Sequence, residues 1–354
     1  MNSLSSLKYM NVLILPALAW ISFNTTGWLT YLPLFESFLL IPLMELAFKP
    51  NAENLTPGKE DQSKDAAIYD LQLYVMVPIQ IALLVTFLFS MQEAGLTLVD
   101  KIGRITSMGL MCGVIGINVA HELGHRKTRY EQFMAKCLLL TSLYMHFFIE
   151  HNRGHHKNVS TKEDPSSARY GEILYTFWVR SVVFAYLSAW SLEAKRLRKK
   201  GKPAFSFRNE MLQFQIIQVL FTVAVGLLFG WIVMGYFILA AVMGFLLLET
   251  VNYIEHYGLE RDKKGDVYER VMPHHSWNSD HKLGRIILFE LSRHSDHHYI
   301  ASRKYQILRH IEESPQMPTG YPGMMILAII PPLWFSIMNP RIRKIKKESL
   351  AQAA

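Results

Sequence analysis

Cysteine is nearly absent. The 354 residues hold only Cys112 and Cys137, 25 positions apart in apolar stretches, and no Cys-x-x-Cys. That excludes a thiolate-held iron–sulfur, zinc-ribbon or rubredoxin-type module within the chain, and it gives no disulfide framework. Both thiols are expected to pack as small hydrophobes. Charge is also scarce over long stretches. Six apolar blocks, about 9–25, 27–48, 72–92, 104–120, 213–229 and 231–254, carry at most two charged residues each. A soluble core helix shows polar residues every few positions, and these blocks do not. Internal repeats and low-complexity tracts are missing, which excludes a solenoid. Residues 51–65, "NAENLTPGKEDQSKD", form a polar connection between the second and third blocks.

What is present is basic charge and histidine. The formal charge is +8, with 37 Lys and Arg against 29 Asp and Glu. A soluble nucleic-acid binder can be this basic, so the placement of the charge decides. Most of the six blocks approach the ~20 residues a helix needs to cross ~30 Å of hydrocarbon, and they are expected to be membrane spans. The first resembles a signal peptide, with "ALA" at 17–19, but its basic flank is Lys8 alone and a second block follows at once. A retained span is expected.

Sixteen Lys and Arg fall in residues 121–210 and fifteen in 255–354, together 31 of the 37. The positive-inside rule puts both segments and the N-terminus in the cytoplasm, with no nucleic-acid partner. The run "LEAKRLRKKGK", 192–202, is a solvated face near anionic headgroups. Two further apolar stretches, 132–149 and 323–338, are expected to lie at the interface or re-enter; Pro331–Pro332 interrupts the second. The expected fold is all-α: a polytopic membrane protein of about six transmembrane helices with a histidine-rich cytoplasmic cap, one domain over residues 1–354.

The fourteen histidines are clustered. His121 and His125 stand at i, i+4 in "HELGH"; His151, His155 and His156 form "HNRGHH"; His256 sits in "NYIEHYGL"; His294, His297 and His298 form "HSDHH". On a helix, i with i+3 or i+4 brings side chains to one face, which suits a shared metal. The adjacent pair His155–His156 diverges by ~100°, as expected when two metals are served. Nine imidazoles at the cytoplasmic ends of apolar helices repel one another when protonated, whereas neutral imidazoles bound to metal do not. His146, His274, His275 and His281 are candidates for supporting donors or ordinary loop residues, and His310 is expected to be solvated.

"HELGH" alone matches H-E-x-x-H, a zinc peptidase motif with Glu122 as base. A catalytic zinc needs three protein ligands and an open position, which leaves most of the nine histidines without a role. Two metals with four or five imidazoles each use them all. Imidazole suits iron, copper, nickel and zinc alike, so the metal does not follow from ligand type.

Taken together, "HELGHRK", "FFIEHNRGHH", "NYIEHYGL" and "RHSDHH", with "EDPSSARYGE", "PHHSWNS" and "MPTGYPG", resemble the motifs of the integral-membrane alkane hydroxylases, within the membrane fatty acid desaturase/hydroxylase superfamily. The resemblance runs from about residue 70 to 340. It implies a non-haem di-iron monooxygenase that uses O2 to convert the terminal methyl of a medium- or long-chain n-alkane to a primary alcohol. The implied iron ligands are His121, His125, His151, His155, His156, His256, His294, His297 and His298. Electrons are implied to come from a separate rubredoxin served by an NADH-dependent rubredoxin reductase, which suits a chain without a redox module of its own. Localisation in the inner, cytoplasmic membrane is implied, with alkane entering from the bilayer. Departures lie beside the last cluster, at Ser292 and in "HKLGRIILFE".

Glu122, Glu150, Glu255 and Asp296, which flank histidines, are expected to orient imidazole N–H groups, with His274, His275 and His281 as further supporting candidates. Phe38, Phe87 and Trp20 are candidates for lining a substrate tunnel, although helix packing is the usual role of such residues. A fatty-acyl desaturase, a xylene-type methyl monooxygenase, an intramembrane zinc peptidase and a transporter are the alternatives. Chain-length preference and oligomeric state are not encoded in any motif.

Overall fold

The computed structural model describes residues 6–353; residues 1–5 and 354, the ends of the expected domain, lie outside the described residues. Five helices are long and apolar enough to cross a membrane: Gly27–Ala47, Ala67–Ser90, Leu98–Gly124, Glu210–Phe229 and Trp231–His256. By length and composition this is the helix set of a multi-pass membrane protein. The first expected span, 9–25, differs. Its helix, Leu7–Phe23, is shorter and winds as 3₁₀ over Leu7–Leu13. It stops at Phe23 because Asn24 Nδ2 and Thr25 Oγ1 turn back to the carbonyls of Trp20 and Ile21.

On the face away from the histidines, the spans are tied by a few polar contacts. Thr97 caps Leu98–Gly124 through a capping box with Asp100. Asp100 Oδ1 also accepts from the amide of Gly27, at 2.6 Å, where the neighbouring span begins. Buried Arg104 donates to the carbonyls of Ser90 and Thr25 at 2.7 and 2.8 Å. An arginine held by carbonyls in this way satisfies helix ends that would otherwise stay unpaired in lipid.

The spans Leu98–Gly124 and Trp231–His256 cross at small residues. A Cβ added to Gly244 would lie 2.4 Å from the Cβ of Cys112, so the crossing requires glycine there. Cys112, fully buried, is a packing residue, as its sequence context suggested.

Neither additional apolar stretch forms one helix long and apolar enough to cross a membrane. Arg129–Thr141 folds back along the end of the preceding span, the chain turns at Leu143 (φ 50°), and a second helical segment, 147–158, brings it back. In the other stretch, Tyr321–Ile329 ends before Pro331, where a new helix, Pro331–Ala353, begins. The long helix Leu174–Lys199 presents Val179, Val183 and Leu187 outward, all exposed and four residues apart, and buries Glu193 near its basic end. A two-stranded hairpin, Lys263–Lys264 with Val267–Tyr268, is the one sheet among the described residues.

Candidate metal centre

The nine patterned histidines meet at one end of the spans, in two groups. His121, His125, His151, His156 and His297 form one; His155, His256, His294 and His298 form the other. Within each group one nitrogen per ring lies within 4.8 Å of all the rest.

Local helix geometry sorts them. His121 and His125 stand one α-turn apart at the end of Leu98–Gly124 and share the five-membered group, as i, i+4 spacing predicts. The next cluster breaks that rule. His151–His155 is a π-helix, whose hydrogen bonds run from i to i+5 and widen the turn beyond the about 3.6 residues of an α-helix. His151 therefore meets His156, Nε2 to Nε2 at 3.1 Å, and His155 is released to the other group. On the helix His294–Tyr299, His294 and His298 stand ~40° apart and share the four-membered group, while His297, ~60° to the other side of His294, joins the five. π-turns also occur at Glu36–Leu40 and Cys112–Ile117, and residues of both line the cavity described below.

In the five-membered group the Nε2 atoms close a ring. The contacts are His121–His297 at 2.9 Å, His297–His156 at 3.1 Å, His156–His151 at 3.1 Å, His151–His125 at 3.1 Å and His125–His121 at 3.3 Å. A hydrogen bond needs an N–H on one nitrogen and a lone pair on the other. Around a ring of five the two roles cannot alternate, so at least one contact would set N–H against N–H or lone pair against lone pair. Five lone pairs directed at one cation have no such conflict. Two nitrogens at right angles about an ion at ~2.1 Å stand ~3.0 Å apart, close to these spacings.

The four-membered group is wholly buried. His294 and His256 approach at 3.2 Å through Nε2, and the buried Nε2 atoms of His155 and His298 have no hydrogen-bond partner among the described residues. A buried nitrogen left unpaired costs about 1–3 kcal/mol, which a coordinated cation offsets. The donor sets of both groups thus fit metal ions.

Burial, then neighbouring imidazoles, hold His151, His156, His294, His297 and His298 well below the usual histidine pKa. Burial and the Arg126 guanidinium take His125 down to about 3. Neutral rings keep the lone pair that a metal needs. His155 is the exception. Burial lowers it, but the carboxylate of Asp164, 2.9 Å from Nδ1, raises it to about 8. Asp164 is itself fixed by Ser167 Oγ at 2.6 Å and the Ser166 amide at 3.1 Å. With Nδ1–H donating to Asp164, Nε2 of His155 is the nitrogen that faces the group, and a metal bound there would displace its proton, the carboxylate–histidine arrangement of metal sites. Asp164 lies in the quoted stretch "EDPSSARYGE", but no spacing rule tied it to His155 nine positions earlier.

The acids that flank histidines divide. Glu255 Oε2 stands 3.2 Å from His294 Nε2, while Tyr321 OH donates to its other oxygen. Glu150 is buried, accepts from Ser188 Oγ at 3.3 Å, and is raised to about 8 by burial and then by Asp164. Glu122 instead accepts from Arg126 at 2.8 Å and the Tyr305 amide at 3.3 Å. Asp296 accepts from Arg309 and faces Arg303. Glu122 and Asp296 thus face arginines and backbone amides, not imidazoles.

The remaining histidines lie apart from the nine. His275 accepts the Met272 amide on Nδ1, so its Nε2 carries the proton shared with Glu269 and offers no lone pair; His274 sits beside it. His281 pairs with Ser279 Oγ at 3.0 Å. His146 is buried against Tyr144 and Tyr186. His310, expected in solvent, is partly buried and bound to Asp280 at 2.7 Å, because the loop carrying it folds onto the 51–59 connection.

An apolar cavity of about 890 Å³ reaches the two groups, touching His121 and His151 of one, His294 of the other and Glu255 beside it. Of the three aromatics considered for a tunnel, Phe38 lines it. Phe87 packs against Phe23 with centroids 5.6 Å apart, and Trp20 is 57% exposed on the outer surface. A second cavity, about 660 Å³, shares Phe38, Leu247 and Met325 with the first and extends towards exposed Leu239 and Ile329.

A helical membrane protein with two imidazole groups at one end of its spans is the architecture of a metal-dependent membrane oxidoreductase. Residues 102–328 match the family model for fatty acid desaturases, and the chain belongs to that family. Within it the similarity is to alkane 1-monooxygenases. Alkane 1-monooxygenase 2 of Pseudomonas aeruginosa is 43% identical over 309 residues, 86% of this chain and 82% of the relative. Alkane 1-monooxygenase 2 of Alcanivorax borkumensis is 42% identical over 320 residues, covering 89% and 83%. The xylene/toluene monooxygenase hydroxylase component of Pseudomonas putida is 28% identical over 278 residues, covering 77% and 74%. The chain is therefore a metal-binding membrane alkane hydroxylase, an enzyme of the oxidoreductase class. The zinc peptidase alternative falls with this, since Glu122, its required base, is engaged by Arg126.

Proposed function

We propose that the chain is a di-iron monooxygenase that hydroxylates the terminal methyl of medium- or long-chain n-alkanes. The supporting observation is that one apolar cavity ends between two imidazole groups of five and four. The balance is RH + O2 + 2 e⁻ + 2 H⁺ → ROH + H2O. Two irons, when bound, supply the reductive activation of O2 that an unactivated C–H bond requires. His121, His125, His151, His156 and His297 would hold one, and His155, His256, His294 and His298 the other. Asp164 keeps the His155 proton on Nδ1. The cavity walls exclude water and admit an alkyl chain end-on, so that its last carbon meets the histidines first.

The substrate enters from the bilayer, where alkanes concentrate. The electron donor is a separate rubredoxin with its NADH-dependent reductase. It approaches the five-histidine side, because His125 and His156 there are only partly buried while the four-histidine group is closed. Basic residues around them, Lys127, Arg129 and Lys157, suit an acidic carrier. The histidine end faces the cytoplasm across the inner membrane, in agreement with the distribution of Lys and Arg.

The test is metal analysis and turnover of the purified protein. Two irons per chain, and 1-alkanol from octane or hexadecane on addition of rubredoxin, reductase and NADH, are expected. One zinc per chain, or oxidation of xylene but not of alkanes, contradicts the proposal.

A further inference from the structure

A polar cavity of about 870 Å³ lies outside the metal centre, where Lys8, the 51–59 connection and the segment 282–293 meet. Its lining holds five cations, Lys8, Lys59, Lys282, Arg285 and Arg293, against two carboxylates, Glu53 and Glu290. Glu290 is already committed: Arg285 Nε lies at 2.7 Å, Lys8 Nζ at 3.0 Å and Tyr9 OH at 2.7 Å. Arg293, 3% exposed, donates to the carbonyls of Leu308 and Glu53 at 2.7 and 2.8 Å, and its Nε faces the carboxylate of Asp280 at 3.5 Å. Lys59 and Lys282 are exposed at the rim, and among the described residues neither has an ion-pair partner. The cavity is thus a concave site whose arginines and Lys8 are internally paired and whose surplus positive charge sits on the rim lysines Lys59 and Lys282.

Its position identifies the anion. Lys8 opens the first apolar helix, and the span Gly27–Ala47 ends beside the cavity, with the Gly284 amide donating to Glu45 at 2.8 Å. Leading to that end, Leu39, Leu43 and Leu46 are 55%, 57% and 71% exposed along one face of the span, a surface for acyl chains. We propose that the cavity binds the phosphate of an anionic phospholipid headgroup, whose tails lie along this leucine face. A bound headgroup would join the N-terminal helix, the 51–59 connection and the segment that leads into His294.

The test uses the full chain in nanodiscs of phosphatidylcholine with or without phosphatidylglycerol, with retained lipid counted by native mass spectrometry. Each lysine near an anionic surface contributes about 1 kcal/mol, roughly fivefold in affinity. Lys59→Ala with Lys282→Ala is therefore expected to weaken phosphatidylglycerol retention roughly 30-fold, on the same arithmetic. Lys199→Ala with Lys200→Ala, an equal charge loss on another exposed basic run, is expected to leave it nearly unchanged. Lys59→Gln alone, at an exposed position that does not threaten folding, is expected to cost about fivefold. The proposal is overturned by equal losses in the two double variants, or by no preference for phosphatidylglycerol in the wild type. It is overturned equally if inorganic phosphate at millimolar concentration displaces the lipid completely, because the cavity would then be a site for soluble phosphate.

Discussion

The two histidine groups share a protein, a cavity and a donor type, yet they are built differently. The five-histidine group is partly open to the surface, and its rings touch one another in a closed cycle. The four-histidine group is closed, and it alone has carboxylates on its rings, Asp164 at His155 and Glu255 at His294. An exposed, ligand-rich site tolerates loss of a ring better than a buried site with none to spare. On the proposed function it is also where electrons would enter, while the closed site would keep water from the reacting carbon.

The largest expected effect follows from that asymmetry. His298→Ala leaves three imidazoles in the closed group, and iron content should fall from two towards one per chain, with hydroxylation lost. His125→Ala leaves four imidazoles in the open group and should retain most of its iron, measured by the same elemental analysis, while turnover falls. Equal iron loss in both would break the comparison.

Asp164→Asn is next. It preserves shape but removes the charge that fixes the His155 proton, and such partners cost about 10–100-fold in metal affinity or activity. Iron retention under chelator challenge checks this, with Glu122→Gln as the contrasting variant. Glu122 contacts Arg126 and an amide rather than a ring, so its substitution should leave iron affinity close to wild type.

A smaller effect concerns substrate. Phe38→Ala opens the partition between the two apolar cavities and should shift the preference towards bulkier or longer alkanes by several-fold, read from a product panel, without changing iron content.

The smallest effect on iron content and turnover is expected for Glu290→Gln, which touches neither group and acts on stability instead. Burial alone would raise this carboxyl, but Arg285 and Lys8 take it down to about 2. A depressed pKa gives stability that is present above about 4.5 and is lost as pH falls towards 2. The total is about 3 kcal/mol as an order of magnitude. Acid unfolding followed by circular dichroism should show this window in the wild type and its loss in the variant.

Much of this was legible in the sequence. Five of the apolar blocks fall on the five long apolar helices, with ends up to six residues apart, and clustering picked out the nine histidines that converge. What spacing did not show was their division. The i, i+4 rule pairs His151 with His155, whereas the π-turn gives His151 to His156. A widened turn depends on tertiary packing that no local pattern records. Neighbours in sequence misled in the same way: Glu122 and Asp296 adjoin histidines along the chain but point about 100° away on their helices, towards arginines. Asp164, which does meet a ring, comes from a loop with no periodicity to mark it. The shortened first helix was hidden because an apolar run has the same composition whether it winds as 3₁₀ or α.

The central claim is that these nine rings form two metal sites, one of five and one of four. An anomalous-difference map at the iron edge, from crystals of the purified protein, tests it directly. Two iron peaks are expected, one among the Nε2 atoms of His121, His125, His151, His156 and His297, the other among His155, His256, His294 and His298. A single peak, or two peaks with the histidines partitioned otherwise, would contradict it.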